Sequence, residues 1–313
     1  MSDVSKQGFS YFGTSDFSAT ILNGLISHDL IPELVVTTIG KPQGRKLQIS
    51  PTPVAEIASK HQLKLLEVKT LRDEKVVQQM ANGKWQMAIL ASFGKIIPQN
   101  ILDIFPQGIV NVHPSLLPLY RGPSPIQSAI LNGDTTTGVS LILLDAEVDH
   151  GPILVQTEQI INLEDDAVSL SNKLAEQSVK MLVESLPKYL SGELKPIPQN
   201  HSAATFTKII NKADGQADFI NKTAEELNNQ RRAFTPWPGL WTMWQGKRLK
   251  LLSTVPHNAV TTKPGLVTLV EDSLVIGTKS GALQINELQL EGGKPLKTKD
   301  FLLGHKSFIN SLL

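Results

Sequence analysis

Up to residue 190, short apolar runs of strand length alternate with amphipathic helical patterns, and this alternation leaves few folds open. Strand-like runs fall at 9–12, 34–39, 63–68, 87–91, 109–112, 139–144 and 153–161. Between and after them, helical spacing covers 17–26, 53–61, 73–81, 124–131 and 166–190. A strand that is followed by a helix returns to its sheet in parallel, so the expected fold is α/β. It is a Rossmann-like, mostly parallel sheet with helices on both faces. Ligands of such sheets sit beyond the carboxyl ends of the strands. The stretch 40–50 is polar and glycine-bearing and reads as a loop.

Beyond residue 190 the pattern changes. Residues 191–204 are rich in Pro, Ser, Gln and Asn without periodicity, the composition of a linker. A helix at 224–233 is followed by short runs at 240–244, 249–254, 265–270, 273–278 and 282–289. Turn-spaced runs of this kind predict a small antiparallel, OB-like β-barrel. The expected organisation is a domain at 1–190, a linker at 191–204 and a second domain at 205–313. A chain of 313 residues has room for two domains at about 150 residues each.

Charge sharpens this division. The whole chain has 30 Lys and Arg against 29 Asp and Glu, a total that argues against a polyanionic partner. Residues 1–204 hold 16 of the basic and 20 of the acidic side chains, which leaves 14 basic and 9 acidic for 205–313. The second half is therefore the one suited to an anionic partner. There is no cysteine, which removes disulfides, thiolate metal sites and cysteine nucleophiles. The first seven residues are polar, and no apolar run approaches the ~20 residues needed to cross a bilayer. The expectation is a cytoplasmic protein with no membrane partner.

Two clusters carry candidate chemistry. Asn111 and His113 lie two apart at the end of a buried strand, so they share one face, and a proline-rich segment follows them. An amide donor beside an imidazole suits a developing oxyanion. The spacing alone is equally that of a strand end closed by polar residues. Further on, Asp145, Glu147 and Asp149 follow an apolar strand and precede Gly151. One of these carboxylates can orient a histidine, although a solvated acidic turn has the same composition. The first turn, from Gly13 to Asp16, lacks the G-x-G-x-x-G pyrophosphate signature, which disfavours a nicotinamide dehydrogenase.

Asn111, His113, the Ser-Leu-Leu-Pro run that follows and the later Asp-x-Gly resemble the 10-formyltetrahydrofolate-dependent formyltransferases. The segments 121–127, 44–47 and 232–239 narrow the resemblance to members that act on methionyl-tRNA. The resemblance implies catalytic roles for Asn111, His113 and Asp149. It implies a folate wall from Ser115, Leu116, Leu117 and Pro118 together with Phe93 and Gly94. It also implies a basic loop with Arg45 and Lys46 that meets tRNA, and a C-terminal tRNA-binding domain in which Arg232, Lys247 and Arg248 are candidate contacts. The implied reaction moves the formyl group of 10-formyltetrahydrofolate, as co-substrate, to the α-amine of methionyl initiator tRNA. It needs no metal and no covalent enzyme intermediate, and the enzyme is expected to be a monomer. Trp237, Trp241 and Trp244 are expected in the barrel core rather than stacked on bases. Rival readings are a formyltransferase of the same core acting on a sugar-nucleotide or glycinamide amine, a folate-dependent hydrolase, and a non-catalytic RNA-binding protein.

Overall fold

The computed structural model describes residues 8–43 and 48–313, and the chain divides into two compact units. The first comprises the segment ending at Pro125 together with Thr136–Ile160 and Ser171–Thr207. The second comprises Ile126–Thr135, Ile161–Leu170 and Lys208–Leu313.

In the first unit the sheet strands are β1 (Phe9–Gly13), β2 (Leu34–Thr38), β5 (Leu65–Val68), β6 (Met87–Ala91), β7 (Ile109–His113), β8 (Thr136–Leu143) and β9 (Ile153–Ile160). They lie in the order β5-β2-β1-β6-β7-β8-β9. The pairings from β5 to β7 are parallel, whereas β7–β8 and β8–β9 are antiparallel. The mostly parallel sheet expected from sequence is therefore present, with an antiparallel edge. The stretch 40–50, read as a loop, instead contributes a small antiparallel pair, β3 (Lys41–Gln43) and β4 (Gln48–Ser50). β1, β6 and β7 are buried along their whole length, as strands covered on both faces must be.

Helix starts follow local chemistry. Ser15 Oγ accepts from the Ser18 amide ahead of α1 (Asp16–Ser27), and Thr52 Oγ1 accepts from the Ala55 amide ahead of α2 (Pro53–Lys60). Pro53 occupies the first turn of α2, where its missing N–H costs nothing. Asp73 caps α3 (Glu74–Ala81) in the same way through the Lys75 amide. The remaining α-helices among the described residues are α4 (Gln99–Leu102), α5 (Pro125–Leu131), α6 (Ala167–Leu190), α7 (Ala224–Ala233) and α8 (Thr298–Gly304). Part of the first unit's core gathers Phe12, Val36, Met80, Ala88, Phe93 and Ile109, with the Phe12 and Phe93 rings edge to face at 5.5 Å.

Residues 191–204 run along the first unit. Ile197 exchanges backbone hydrogen bonds with Ile153 on β9, both at 2.8 Å, and the buried Gln199 points inward. The wholly local composition of this segment hides these long-range partners.

The second unit is built on six antiparallel strands: β10 (Leu240–Trp244), β11 (Lys247–His257), β12 (Val267–Val270), β13 (Ser273–Gly277), β14 (Ala282–Leu290) and β15 (Leu296–Lys297). Their order is β10-β11-β14-β13-β12, with β15 on β14. Leu249 and Leu251 turn inward while Lys250 between them turns outward, the period of two that marks a half-buried strand. The core includes Leu240, Trp244, Leu283, Phe301 and Phe308, with the Trp244 and Phe308 rings at 5.1 Å. A capping box opens α7: the Thr223 amide donates to Glu226 Oε2 at 2.7 Å and the Glu226 amide to Thr223 Oγ1 at 3.2 Å. Trp241 and Trp244 are buried as expected, but Trp237 is 57% exposed. Among the described residues, no helix is long and apolar enough to cross a membrane.

Candidate active site

β7 delivers Asn111 and His113 to the carboxyl edge of the sheet, where both side chains are buried at 5% and 4% exposure. Asp149 meets them from the turn between β8 and β9. Asn111 Nδ2 donates to Asp149 Oδ1 at 3.3 Å, and His113 Nδ1 lies 3.5 Å from the same oxygen. The other ring nitrogen, His113 Nε2, donates to the Tyr120 carbonyl at 2.9 Å. This carbonyl can only accept, so the bond fixes the proton on Nε2. Asp149 Oδ2 accepts from the Gly122 amide at 2.7 Å. Gly122 has φ +107°, and a Cβ there would stand 2.9 Å from Thr207 Oγ1, so the turn that presents this amide requires glycine.

The other two acids of the turn, Asp145 and Glu147, are used differently. His150 Nδ1 donates to Asp145 Oδ2 at 2.6 Å, and its ring stacks on His201 at 3.9 Å with 5° between planes. Glu147 faces solvent.

The Ser-Leu-Leu-Pro run is pinned to β8 and β9. Ser140 Oγ donates to the Ser115 carbonyl at 2.6 Å and accepts from the Leu117 amide at 3.0 Å. Gln156 Nε2 donates to the Leu117 carbonyl at 2.8 Å and to Ser140 Oγ at 2.7 Å. Ser115 and Leu117 are buried, so the partly exposed Leu116 and Pro118 are the members of the run that keep accessible side chains. Gly94 is exposed with open space where a Cβ would stand, whereas the Phe93 ring belongs to the core.

The basic residues separate. Arg45 and Lys46 lie outside the described residues. Lys247 is exposed at the start of β11. Arg248 lays its guanidinium over the Trp241 ring at 4.5 Å. Arg232, expected to meet tRNA, is instead 5% exposed. Its Nε donates to the Asp165 carbonyl at 2.6 Å, its Nη2 to the Asn162 carbonyl at 2.9 Å and its Nη1 to Asn229 Oδ1 at 3.0 Å. Every guanidinium nitrogen thus has a protein acceptor, and burial lowers the pKa of the group below its ordinary value. Two residues near the trio were not singled out from sequence, Arg121 and Gln199. Arg121 sits in a segment that contributes to the family resemblance, whereas nothing local marks Gln199. Among the described residues no group of three or more His, Asp or Glu is placed to hold a metal ion.

Comparison with known proteins gives the family. Residues 9–186 match the model of the formyl transferase family, and residues 209–306 match that of its C-terminal domain. The fold resembles HypX from Aquifex aeolicus solved in complex with tetrahydrofolic acid, with a TM-score of 0.64 at 18% identity over 97% of this chain. The chain spans about half the length of that protein, 48% of it, and the likeness is one of fold. A formyltransferase core carrying a C-terminal β-domain is the class these features define: the chain belongs to the formyl transferase family. Within it the chain groups with the methionyl-tRNA formyltransferases. It is 37% identical over 299 residues to the one from Chloroflexus aurantiacus, covering 94% of this chain and 96% of the relative. It is 38% identical over 297 residues to the one from Thermus thermophilus, covering 94% and 95%. It is a one-carbon group transferase.

Proposed function

We propose that the chain transfers the formyl group of 10-formyltetrahydrofolate to the α-amine of methionyl initiator tRNA. The observation that carries this reading is the convergence of Asn111, His113 and Asp149 at one buried strand end. The curated relatives named for this reaction, matched nearly end to end, favour it over an amino-sugar or glycinamide acceptor.

The amine lone pair attacks the formyl carbon and creates a tetrahedral centre whose oxygen carries the charge. Asn111 Nδ2 and, with the imidazole protonated, His113 Nδ1 are the N–H donors for that oxygen. Such donors act strongly in a buried site because no water competes and none must reorganise. The bond from the formyl carbon to the folate nitrogen then breaks. The amine releases one proton and the departing nitrogen takes one, and the Asp149–His113 pair is the group placed to carry it. Leu116, Pro118 and Gly94 supply the accessible part of the folate wall, Ser115 and Leu117 hold it from within, and Phe93 contributes backbone. The domain at 1–190 performs the transfer. The domain at 205–313 holds tRNA, with Lys247 and Arg248 joined by Arg45 and Lys46 of the early loop. The protein works as a monomer in the cytoplasm.

Purified protein supplied with both substrates should yield formylmethionyl-tRNA. Absence of product at enzyme concentrations approaching that of the tRNA refutes the reading.

A further inference from the structure

Asp149 has φ +49°, in the left-handed region, which aspartate enters more readily than most residues with a Cβ but which is still uncommon outside glycine. Contacts around the turn help to hold it there. Gln199 is buried beside it and donates both amide protons to the turn, from Nε2 to the Asp149 carbonyl at 2.9 Å and to the Gly151 carbonyl at 2.7 Å. Its Oε1 accepts from Arg121 Nε at 3.2 Å and from Nη2 at 2.7 Å. The orientation of this amide is unambiguous, because arginine only donates and the two carbonyls only accept. Arg121 Nη2 also donates to His201 Nδ1 at 2.9 Å, which makes that nitrogen an acceptor.

The two ends of Asp149 are therefore tied to one support. Its carboxylate is held by the Gly122 amide, next in the chain to Arg121, and its backbone by Gln199, which Arg121 anchors. Arg121 itself is fixed by backbone bonds on both sides, its amide to the Thr205 carbonyl at 2.9 Å and its carbonyl from the Thr207 amide at 2.8 Å. Gln199 falls between the two stretches matched by the family models, so neither match speaks for it.

We propose that Gln199, anchored by Arg121, is a positioning residue for formyl transfer: it fixes the backbone of Asp149 so that the carboxylate stands against both Asn111 and His113. The proposal rests on the role given to Asp149 above and adds the device that sets its geometry.

The test uses full-length enzyme carrying Gln199→Glu, Gln199→Leu, Asp149→Asn, or Asp149→Asn combined with Gln199→Glu. Glutamate keeps an acceptor for Arg121, so the buried guanidinium stays paired, but turns an oxygen instead of two donors toward the Asp149 and Gly151 carbonyls, whereas leucine removes the donors without adding charge. Turnover is expressed per active site counted by stoichiometric folate binding, so that unfolded protein does not imitate the effect. Both Gln199 variants should lose about 10- to 100-fold in kcat, with each KM within about threefold of wild type. In the Asp149→Asn background, Gln199→Glu should cost less than about threefold more, because a residue that acts through Asp149 then has nothing left to position. Wild-type kcat in Gln199→Glu beside an impaired Asp149→Asn overturns the proposal and leaves the role of Asp149 standing. Full additivity in the double variant also overturns it. Wild-type kcat in Asp149→Asn removes that residue from the mechanism, and the positioning proposal falls with it.

Discussion

Asn111 and His113 in the first unit and Arg232 in the second are buried to nearly the same degree, yet their hydrogen bonds leave them in different states. Arg232 has an acceptor for each of its three guanidinium nitrogens, two of them backbone carbonyls. Asn111 Nδ2 and His113 Nδ1 share a single carboxylate oxygen at 3.3 and 3.5 Å, a loose arrangement for atoms so buried, while the other ring nitrogen of His113 is held by the Tyr120 carbonyl at 2.9 Å. A buried donor whose bonds are short and complete stabilises the fold, because its loss strands acceptors. A buried donor held loosely keeps capacity for a substrate atom and carries its desolvation cost for the reaction. Residue type and burial do not separate these two uses; the completeness of the bonding does.

The strongest way to break this contrast is to remove the loosely bonded donors. Asn111→Ala and His113→Ala should each lower kcat by ~100- to 1,000-fold with much smaller changes in KM, the scale of a lost oxyanion donor. Steady-state formylation kinetics decide it. Wild-type kcat in either variant removes that residue from the reaction and the contrast with it.

Arg232 tests the opposite side. Arg232→Met should cost about 3 kcal/mol of stability in urea unfolding, because the Asp165 and Asn162 carbonyls lose their donors. The tRNA affinity of the folded fraction, and its dependence on salt, should stay as in wild type. A variant of normal stability that binds tRNA less well would return Arg232 to the nucleic-acid surface.

The sheet was legible from the sequence because period and length are local properties. The buried run at 87–91 and the helix at 224–233 emerge with the bounds their patterns give. The trio was legible because its members share strand ends and a family pattern. Gln199 was not: its four hydrogen bonds reach residues 48 to 78 positions away, and its neighbours have the composition of a linker. The same limit explains Arg232, where a basic pair at a helix end reads as surface until the carbonyls of residues 162 and 165 come to meet it. Trp237 shows the reverse error: proximity to two core tryptophans says little about a side chain whose direction is set by its own turn. The helix α8 leaves little trace in the sequence, because it has one buried aromatic, Phe301, and too few turns for a period to emerge.

The smallest expected effect sharpens the contrast within the second unit. Lys247 is exposed at the start of β11, whereas the neighbouring Arg248 packs its guanidinium on Trp241. A cation in water has no structural partner to lose, so Lys247→Ala should leave unfolding unchanged. If its ammonium meets a phosphate, the slope of log Kd against log salt should fall by about 1, because one fewer counterion is released on binding. Arg248→Ala should lower the salt slope as well and, unlike Lys247→Ala, also lower stability by about 0.5–1 kcal/mol through the lost contact with the indole. A salt series of tRNA binding, run beside denaturant titrations of both variants, separates the two roles. An unchanged salt slope for Lys247→Ala would move the tRNA contact away from this end of β11, since the charge removed there would not have been facing the backbone of the nucleic acid.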